Sequence, residues 1–202
     1  YLWDFGIPNE IFPLYDPKAS KEHIKQFLKI DITKHFLFDP MTGNANGPWY
    51  QVNQELIIKL IYYYVLHTGD TAFLSEKVDG LTVLEHAVKN AMFGDNGPDK
   101  PVTLVDYGVE GEHHLELRRI YPYQGVMPDL NGNRYLSYIR AYELTQLAGK
   151  PLSYLPERAE GLKKLMKDRL WSRKDRWFYF EVDGKKALRW TNLMYMMINS
   201  PV

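Results

Sequence analysis

Aromatic residues stand beside carboxylates and amides at several places in this chain. Tyr, Phe and Trp make up 14% of the sequence, and many adjoin Asp, Asn, Gln, Gly or Pro, as in YLWDFG and NGPWYQVN. The C–H face of a sugar stacks on an aromatic ring, while amides and carboxylates bind its hydroxyl groups. The pattern is therefore suited to binding sugars, although an aromatic-rich core would produce the same composition.

Several other site chemistries lack the residues that they need. The chain contains no cysteine, which excludes disulfides, thiolate catalysis and cysteine-bound zinc. His113 and His114 are adjacent and therefore point in different directions, and no third ligand follows at a suitable spacing. The stretch DNGPDK has neither the alternating oxygen ligands nor the closing glutamate of a calcium loop. The sequence thus predicts no metal and no cofactor.

The charge balance argues against two classes of partner. Lys and Arg total 25, as do Asp and Glu, so the net charge is zero and gives no general attraction for nucleic acid or an anionic membrane. The most apolar run, IIKLIYYYVL, is shorter than the ~20 residues that span a bilayer, and Lys59 interrupts it. We therefore predict an oligosaccharide or glycoside as the partner, and neither nucleic acid nor a membrane.

The elements that position these residues are mainly helical. Apolar residues recur at helical spacing through most of the chain, and no Pro/Gly-rich linker divides it, so one all-α domain is predicted over residues 1–202. Alternating apolar residues that lead into Asp183-Gly184 predict a small β-hairpin near 177–188. Fairly apolar helices are predicted at 51–68, 131–148 and from 191 onward, and more amphipathic, charged helices at 20–36, 78–93 and 156–170.

The alternation of apolar and amphipathic helices is typical of a double-layered toroid. Inner helices are covered on all sides, and outer helices face water on one side. In such a barrel the loops before the inner helices gather at one end, where helix N-termini present free N–H groups. On that assumption one pocket collects the polar and aromatic residues of these loops, namely Asp4, Trp49, Gln51, Asn53, Asp129, Asn131 and Trp190.

Three stretches, in order, resemble the six-hairpin, (α/α)6-barrel glycosidases. YLWDFG followed by LYDP resembles their tryptophan–aspartate motif. GPWYQVNQELI…HTGDTAFL resembles the next stretch, in which a glutamine-bearing loop precedes a buried helix. VDYGVEGEHHLEL…YPYQGVMPDLNGNRYLSYIRAYELTQLAGK resembles the third. The chain is most similar to the clan around glycoside hydrolase family 63 and the mannosylglycerate-hydrolase-like domains, and the resemblance covers most of its length.

The resemblance implies an inverting hydrolase with two carboxylic acids. One protonates the departing oxygen and the other activates a water on the opposite face, with the carboxyl groups about 6.5–9.5 Å apart. The general acid would lie in VDYGVEGEHHLEL, where Asp106, Glu110, Glu112 and Glu116 compete. Asp106 is favoured because partial burial by rings such as Tyr107 would favour its protonated form. Glu112 is the second candidate.

The resemblance also assigns substrate contacts and a missing partner. Asp4, next to Trp3, matches the family aspartate that contacts substrate hydroxyls, and Tyr107 adjoins the favoured acid. The family's general base lies in the last third of the barrel, beyond residue 202. The sequence predicts about seven or eight of the twelve helices that six hairpins need. We therefore expect an incomplete toroid, part of a longer protein, with the base outside this chain.

Two alternative functions stay open at this point. A catalytically silent, carbohydrate-binding barrel would keep the aromatic rings without a working acid pair. A uronate-specific polysaccharide lyase on the same toroid would use Tyr107, His113 and Arg118 for proton abstraction. A tetratricopeptide-like scaffold is disfavoured, because the chain lacks a fixed 34-residue period and its loops are long and aromatic.

Overall fold

Seven α-helices and three small antiparallel sheets make up the described part of the chain. The computed structural model describes residues 1–6, 10–108 and 124–188. The helices are α1 (Leu2–Gly6), α2 (Phe12–Tyr15), α3 (Pro17–Lys29), α4 (Asn53–Thr68), α5 (Val83–Ala91), α6 (Pro128–Leu147) and α7 (Tyr154–Arg169), with a 3₁₀ helix at Thr71–Ser75. The two-stranded sheets pair β1 (Leu37–Phe38) with β2 (Ala45–Asn46) and β3 (Lys77–Val78) with β4 (Leu81–Thr82). The third sheet has the order β5 (Trp171–Ser172), β6 (Trp177–Val182), β7 (Lys185–Leu188).

The predicted mainly helical character and the small hairpin are both confirmed. α4 and α6 lie where the apolar spacing predicts them, although α6 begins three residues early because Pro128 suits the first turn of a helix. The β6–β7 hairpin turns at Asp183 and Gly184, whose φ angles of 49° and 71° are those of a tight two-residue turn. The helix predicted from 191 onward lies outside the described residues.

The helix predicted at 20–36 is shifted toward the N-terminus. Asp16 caps α3, and its carboxylate accepts the N–H of Ala19 at 2.9 Å. Ser20 is buried within the helix. The helix ends at Lys29, and the Asp31 carboxylate then accepts the N–H of Thr33 at 3.1 Å, which favours a turn over a continued helix.

The prediction of a helix over 78–93 is wrong at its start. Asp79 and Gly80 have φ angles of 46° and 85° and form the turn between β3 and β4. α5 begins only after Thr82, whose hydroxyl accepts the N–H of Glu85 while the Glu85 carboxylate accepts the N–H of Thr82. Local turn and capping chemistry therefore overrides the apolar spacing here.

The hydrophobic core lies where α4, α5 and α6 pack against one another. α4 and α6 are buried around most of their circumference, whereas α3 buries a single apolar stripe. α1 and α3 cover α4, and α7 covers α6. α4 and α6 are thus the interior helices of the described bundle. Within the described ranges, no helix is both long and apolar enough to cross a bilayer.

Side chains of α6 fix the extended segment that follows α5. Asn131 accepts the N–H of Val105 at 2.9 Å and donates to its carbonyl at 3.1 Å. Farther along, Tyr107 donates its N–H to the Gly125 carbonyl at 2.9 Å, and Gly125 donates to the Gly108 carbonyl at 2.8 Å. The backbone near residue 108 and the backbone near residue 124 therefore lie next to each other, beside the start of α6.

Candidate functional site

A small polar cavity lies between α4, α5 and α6, near the residues at which α4 and α6 begin. The cavity has a volume of about 20 Å³. A space of that size holds about one water-sized group. The side chains that define the polar cavity are Gln51, Gln54, Asn90, Asn133, Arg134 and Ser137.

Three hydrogen-bond donors at this cavity are buried without a partner. They are Nε2 of Gln51, Nε2 of Gln54 and Nε of Arg134, and the three residues are 7%, 6% and 7% exposed. An unpaired buried donor costs about 1–3 kcal/mol, so native structures seldom retain one without a reason. Three such donors around one cavity mark it as a site for a group that accepts hydrogen bonds.

The orientation of Gln54 is fixed by a neighbouring indole. The Trp49 indole N–H donates to Oε1 of Gln54 at 3.2 Å. Because an indole can only donate, the Gln54 amide must turn its oxygen to Trp49 and its NH₂ group elsewhere. Trp49 also contacts the ring of Phe93, a lining residue of the cavity, with centroids 5.6 Å apart.

Arg134 is held in place by its two terminal nitrogens. Nη1 donates to the Thr103 carbonyl at 2.9 Å and to Oδ1 of Asn131 at 3.1 Å. Nη2 donates to the Tyr138 hydroxyl at 3.0 Å. These bonds leave Nε as the free donor of a guanidinium that cannot turn away from the cavity.

The anchor of Arg134 continues into a buried ion pair. The Tyr138 hydroxyl donates to Asp95, which pairs with Arg158 through Nε at 2.6 Å and through Nη2. The side chains of Asp95 and Arg158 are 0% and 5% exposed. Burial acts to raise the pKa of Asp95, but hydrogen bonds from Arg158 and Tyr138 outweigh it, and the pKa lies below its ordinary value. Burial also raises the pKa of Tyr138 to about 12.

A second ion pair lies beside the cavity and joins α4 to α6. Glu55 of α4 accepts from Nη1 of Arg140 on α6, and both side chains are nearly buried. This pair neutralises the one carboxylate among the described residues that line the cavity. Arg134, in contrast, forms no ion pair with a carboxylate in the described ranges. Arg134 is therefore the charged group of the described lining that has no direct carboxylate partner.

Aromatic rings collect outside the polar cavity at the start of α4. Tyr50 contacts Phe36 with centroids 4.5 Å apart, and Phe36 stacks on Tyr1 at 5.1 Å. On the other side Trp49 contacts Phe93. Of these rings only Tyr1 is largely exposed, and the others are partly buried. We call these five rings the aromatic rim.

The structure brings several of the predicted site residues together. Gln51 and Tyr107 line the polar cavity, and Trp49 bonds to its lining residue Gln54. Burial raises the pKa of the Tyr107 hydroxyl above its ordinary value, with a further contribution from Asp129, while Arg134 opposes the shift. Tyr107 is therefore neutral at physiological pH and is disfavoured as a proton-abstracting base.

Three other predicted residues make hydrogen bonds to the backbone. Asn53 donates to the carbonyls of Ile32 and His35, both at 3.0 Å, and so closes the loop after α3. Asn131 forms two hydrogen bonds with the backbone of Val105. Asp129 is fully buried and accepts the N–H of Leu130 at 3.0 Å.

The proposed acids are found in open positions or outside the described residues. Asp4 is exposed, and its neighbour Trp3 is partly buried against the core. Asp106 is also exposed, and it accepts the N–H of Gly108 at 2.8 Å. The expectation that rings bury Asp106 is therefore wrong in this structure, because Tyr107 points into the core instead. Glu112 and Trp190 lie outside the described residues.

Sequence reasoning missed the polar residues inside the helices. Gln54, Asn133, Arg134 and Ser137 lie within α4 and α6, and Asn90 lies within α5. Such residues in an otherwise apolar helix indicate that polar groups are buried inside the bundle. The sequence does not indicate which of them contact one another, because that depends on how three helices pack.

No family model and no curated protein matches this chain. In residues 1–6, 10–108 and 124–188, no group of three or more His, Asp or Glu residues could hold a metal ion. The function must therefore be argued from the site itself, together with the order of motifs that resembles the (α/α)6-barrel glycosidases.

Proposed function

We propose that the protein is a glycoside hydrolase of the inverting type, built on an (α/α)6 toroid, that binds its sugar at the end of the bundle where α4 and α6 begin. Its motif order resembles that of the glycosidases. The burial of α4 and α6 between flanking helices is what inner helices of a toroid require. The helix N-termini at this end add positive potential where polar ligands would bind.

The observation that carries the proposal is the aromatic rim. Partly buried rings that remain partly accessible provide stacking faces, and the exposed carboxylate of Asp4, three residues from Tyr1, provides a hydrogen-bonding group. A packed core would bury these rings completely, as it buries Phe27 and Phe73. A sugar ring is the common small ligand that uses both kinds of contact.

The acid of this mechanism would lie beside residues 107 and 108. Asp106 adjoins the point where the backbone of Tyr107 and Gly108 pairs with Gly125. Asp106 is the proposed general acid, and Glu112, which lies outside the described residues, is the second candidate. Asp4 would contact substrate hydroxyls.

A direct test is a panel of α- and β-linked disaccharides and nitrophenyl glycosides with the full-length protein and its Asp106→Asn and Glu112→Gln variants. We expect sugar release that falls by a factor of about 10²–10⁴ in the variant that lacks the acid, as is typical of general acid catalysis. Asp168→Asn, a change of an exposed aspartate on α7, serves as the matched control and should keep full activity.

Other outcomes of this test separate the alternatives. Sugar binding without release from any substrate would favour a catalytically silent carbohydrate-binding barrel. An unsaturated, ultraviolet-absorbing product from uronate polymers would identify a lyase, although the raised pKa of Tyr107 disfavours that residue as its base. If the protein showed no sugar binding and no turnover, the result would contradict the proposed function.

A further inference from the structure

We infer that the polar cavity between α4, α5 and α6 binds one small monovalent anion, for which chloride is the abundant candidate. The inference goes beyond the proposed function and does not depend on it, because it concerns the interior of the bundle behind the aromatic rim. It rests on the chemistry of the unpaired groups, on charge and on size.

The unpaired groups at the cavity are all donors. Nε2 of Gln51, Nε2 of Gln54 and Nε of Arg134 lack partners, and each belongs to a residue that is more than nine-tenths buried. Among the described residues, no unpaired buried side-chain acceptor lines the same cavity. A water molecule needs acceptors for its own two protons, whereas an anion needs only donors. One anion could therefore accept from all three unpaired groups without needing an acceptor of its own.

The charge of the lining points the same way. A buried guanidinium is normally paired with a carboxylate, because an uncompensated buried charge is costly. Arg134 instead bonds to a carbonyl, an amide oxygen and a hydroxyl, and Glu55 is already neutralised by Arg140. A bound anion would give Arg134 a direct, negatively charged partner.

The size of the cavity limits the anion to about one atom. A volume of about 20 Å³ holds one water-sized group. Phosphate and sulfate are too large for this space, and a sugar ring is larger still. A halide ion has a single accepting atom and a size close to that of water.

Thermal unfolding in matched salts tests the inference. Sodium chloride and sodium bromide should raise the Tm in a saturable way relative to sodium gluconate at equal ionic strength. The rise should be roughly 3–6 °C when the halide is at ten times its Kd. Arg134→Met should abolish the halide-specific rise, whereas Arg169→Met, which removes an arginine from an exposed pair with Glu181, should leave it unchanged.

A second variant keeps the test decisive if Arg134→Met fails to fold. Gln51→Glu is nearly isosteric and places a permanent negative charge at the cavity. With an anion site it should fold in gluconate at least as well as the parent and lose its response to halide. If the cavity holds water, the parent itself should show no halide-specific rise in Tm, whatever the stability of the variant.

Crystals soaked in sodium bromide identify the occupant. We expect an anomalous peak in the cavity within hydrogen-bonding distance of Arg134 Nε. Equal Tm values in halide and gluconate, together with no anomalous peak, would overturn the inference.

Discussion

Arg134 belongs to two neighbourhoods of α6 that treat buried polar groups in opposite ways. On one side its terminal nitrogens belong to a hydrogen-bonded network with Tyr138, Asp95 and Arg158. On the other side its Nε and the amide nitrogens of Gln51 and Gln54 have no partner. The two regions are adjacent, and the side chains of both are more than nine-tenths buried.

The difference separates structural polar groups from groups available to a ligand. A fully bonded buried network costs little and fixes one packing arrangement, because each partner satisfies another. Unpaired donors lower stability unless something binds them. The hydrogen bonds of the terminal nitrogens therefore hold Arg134 in place, while its unpaired Nε remains available to a ligand. A ligand site needs both properties, since a mobile guanidinium would lose entropy on binding.

Breaking the bonded side should produce the largest effect. Asp95→Asn leaves Arg158 buried with an uncharged partner, and we expect the free energy of unfolding to fall by about 3–5 kcal/mol, as measured by urea denaturation. Glu181→Gln, which breaks the more exposed pair with Arg169, should cost less than about 1 kcal/mol and serves as the control. Equal losses in the two variants would show that the buried pair has no special role.

The same pair predicts a dependence on pH. Because the folded-state pKa of Asp95 lies below its ordinary value of about 3.9, its ionised form stabilises the fold above that pH. This contribution is lost as the pH falls through the lower folded-state pKa. Asp95→Asn should therefore unfold with a weaker dependence on pH below about 4.

A smaller change should separate the two neighbourhoods. Tyr138→Phe keeps the ring but removes the hydroxyl that joins Arg134 to Asp95, and it should cost about 1–3 kcal/mol. Because Arg134 would lose an anchor, the variant should also bind halide more weakly. Tyr135→Phe is the matched control, since its hydroxyl lies 3.5 Å from Glu160 at the edge of the bundle. A halide response that is unchanged in Tyr138→Phe would mean that the bonded side does not orient Arg134.

The smallest effect is expected where a bonded network lies near solvent. Lys21 bonds to Asp70 and Glu76, and these bonds lower the pKa of both carboxyls. Their stabilisation is present above the ordinary values of about 3.9 and 4.3 and is lost as the pH falls through the lowered ones. Lys21→Met should cost roughly 1 kcal/mol at pH 7 and less at pH 2–3, as followed by thermal unfolding. A loss that does not depend on pH would show that packing of the lysine stem dominates.

Much of the fold could be predicted from the sequence, because local signals coincide with the final packing. The apolar spacing places α4 and α6, and Asp183-Gly184 places the β6–β7 turn. The same dipeptide at Asp79-Gly80 lies within the helix predicted at 78–93. The flanking strands have only two residues each and are too short to show alternation. The local dipeptide was the more reliable guide at both places.

The candidate site could be predicted only in part. Gln51 and Tyr107 belong to loops whose aromatic and polar composition is visible in the sequence. Arg134 and Gln54 are polar residues in helices, and their meeting depends on contacts between segments far apart in the chain. Asn53 and Asn131 are of a residue type that often binds sugars, but their side chains form hydrogen bonds with backbone groups of neighbouring loops. Residue type alone cannot distinguish these outcomes.

Binding of sugars at the aromatic rim is the central claim, and a calorimetric titration tests it most directly. The substrate or disaccharide with the strongest response would be titrated into the protein, into Trp49→Leu and into Trp171→Leu, which removes a tryptophan from the sheet of β5, β6 and β7. We predict that Trp49→Leu weakens binding by a factor of ten or more, corresponding to about 1.4 kcal/mol, while Trp171→Leu binds like the parent. No binding by the parent, or equal binding by both variants, would contradict the account.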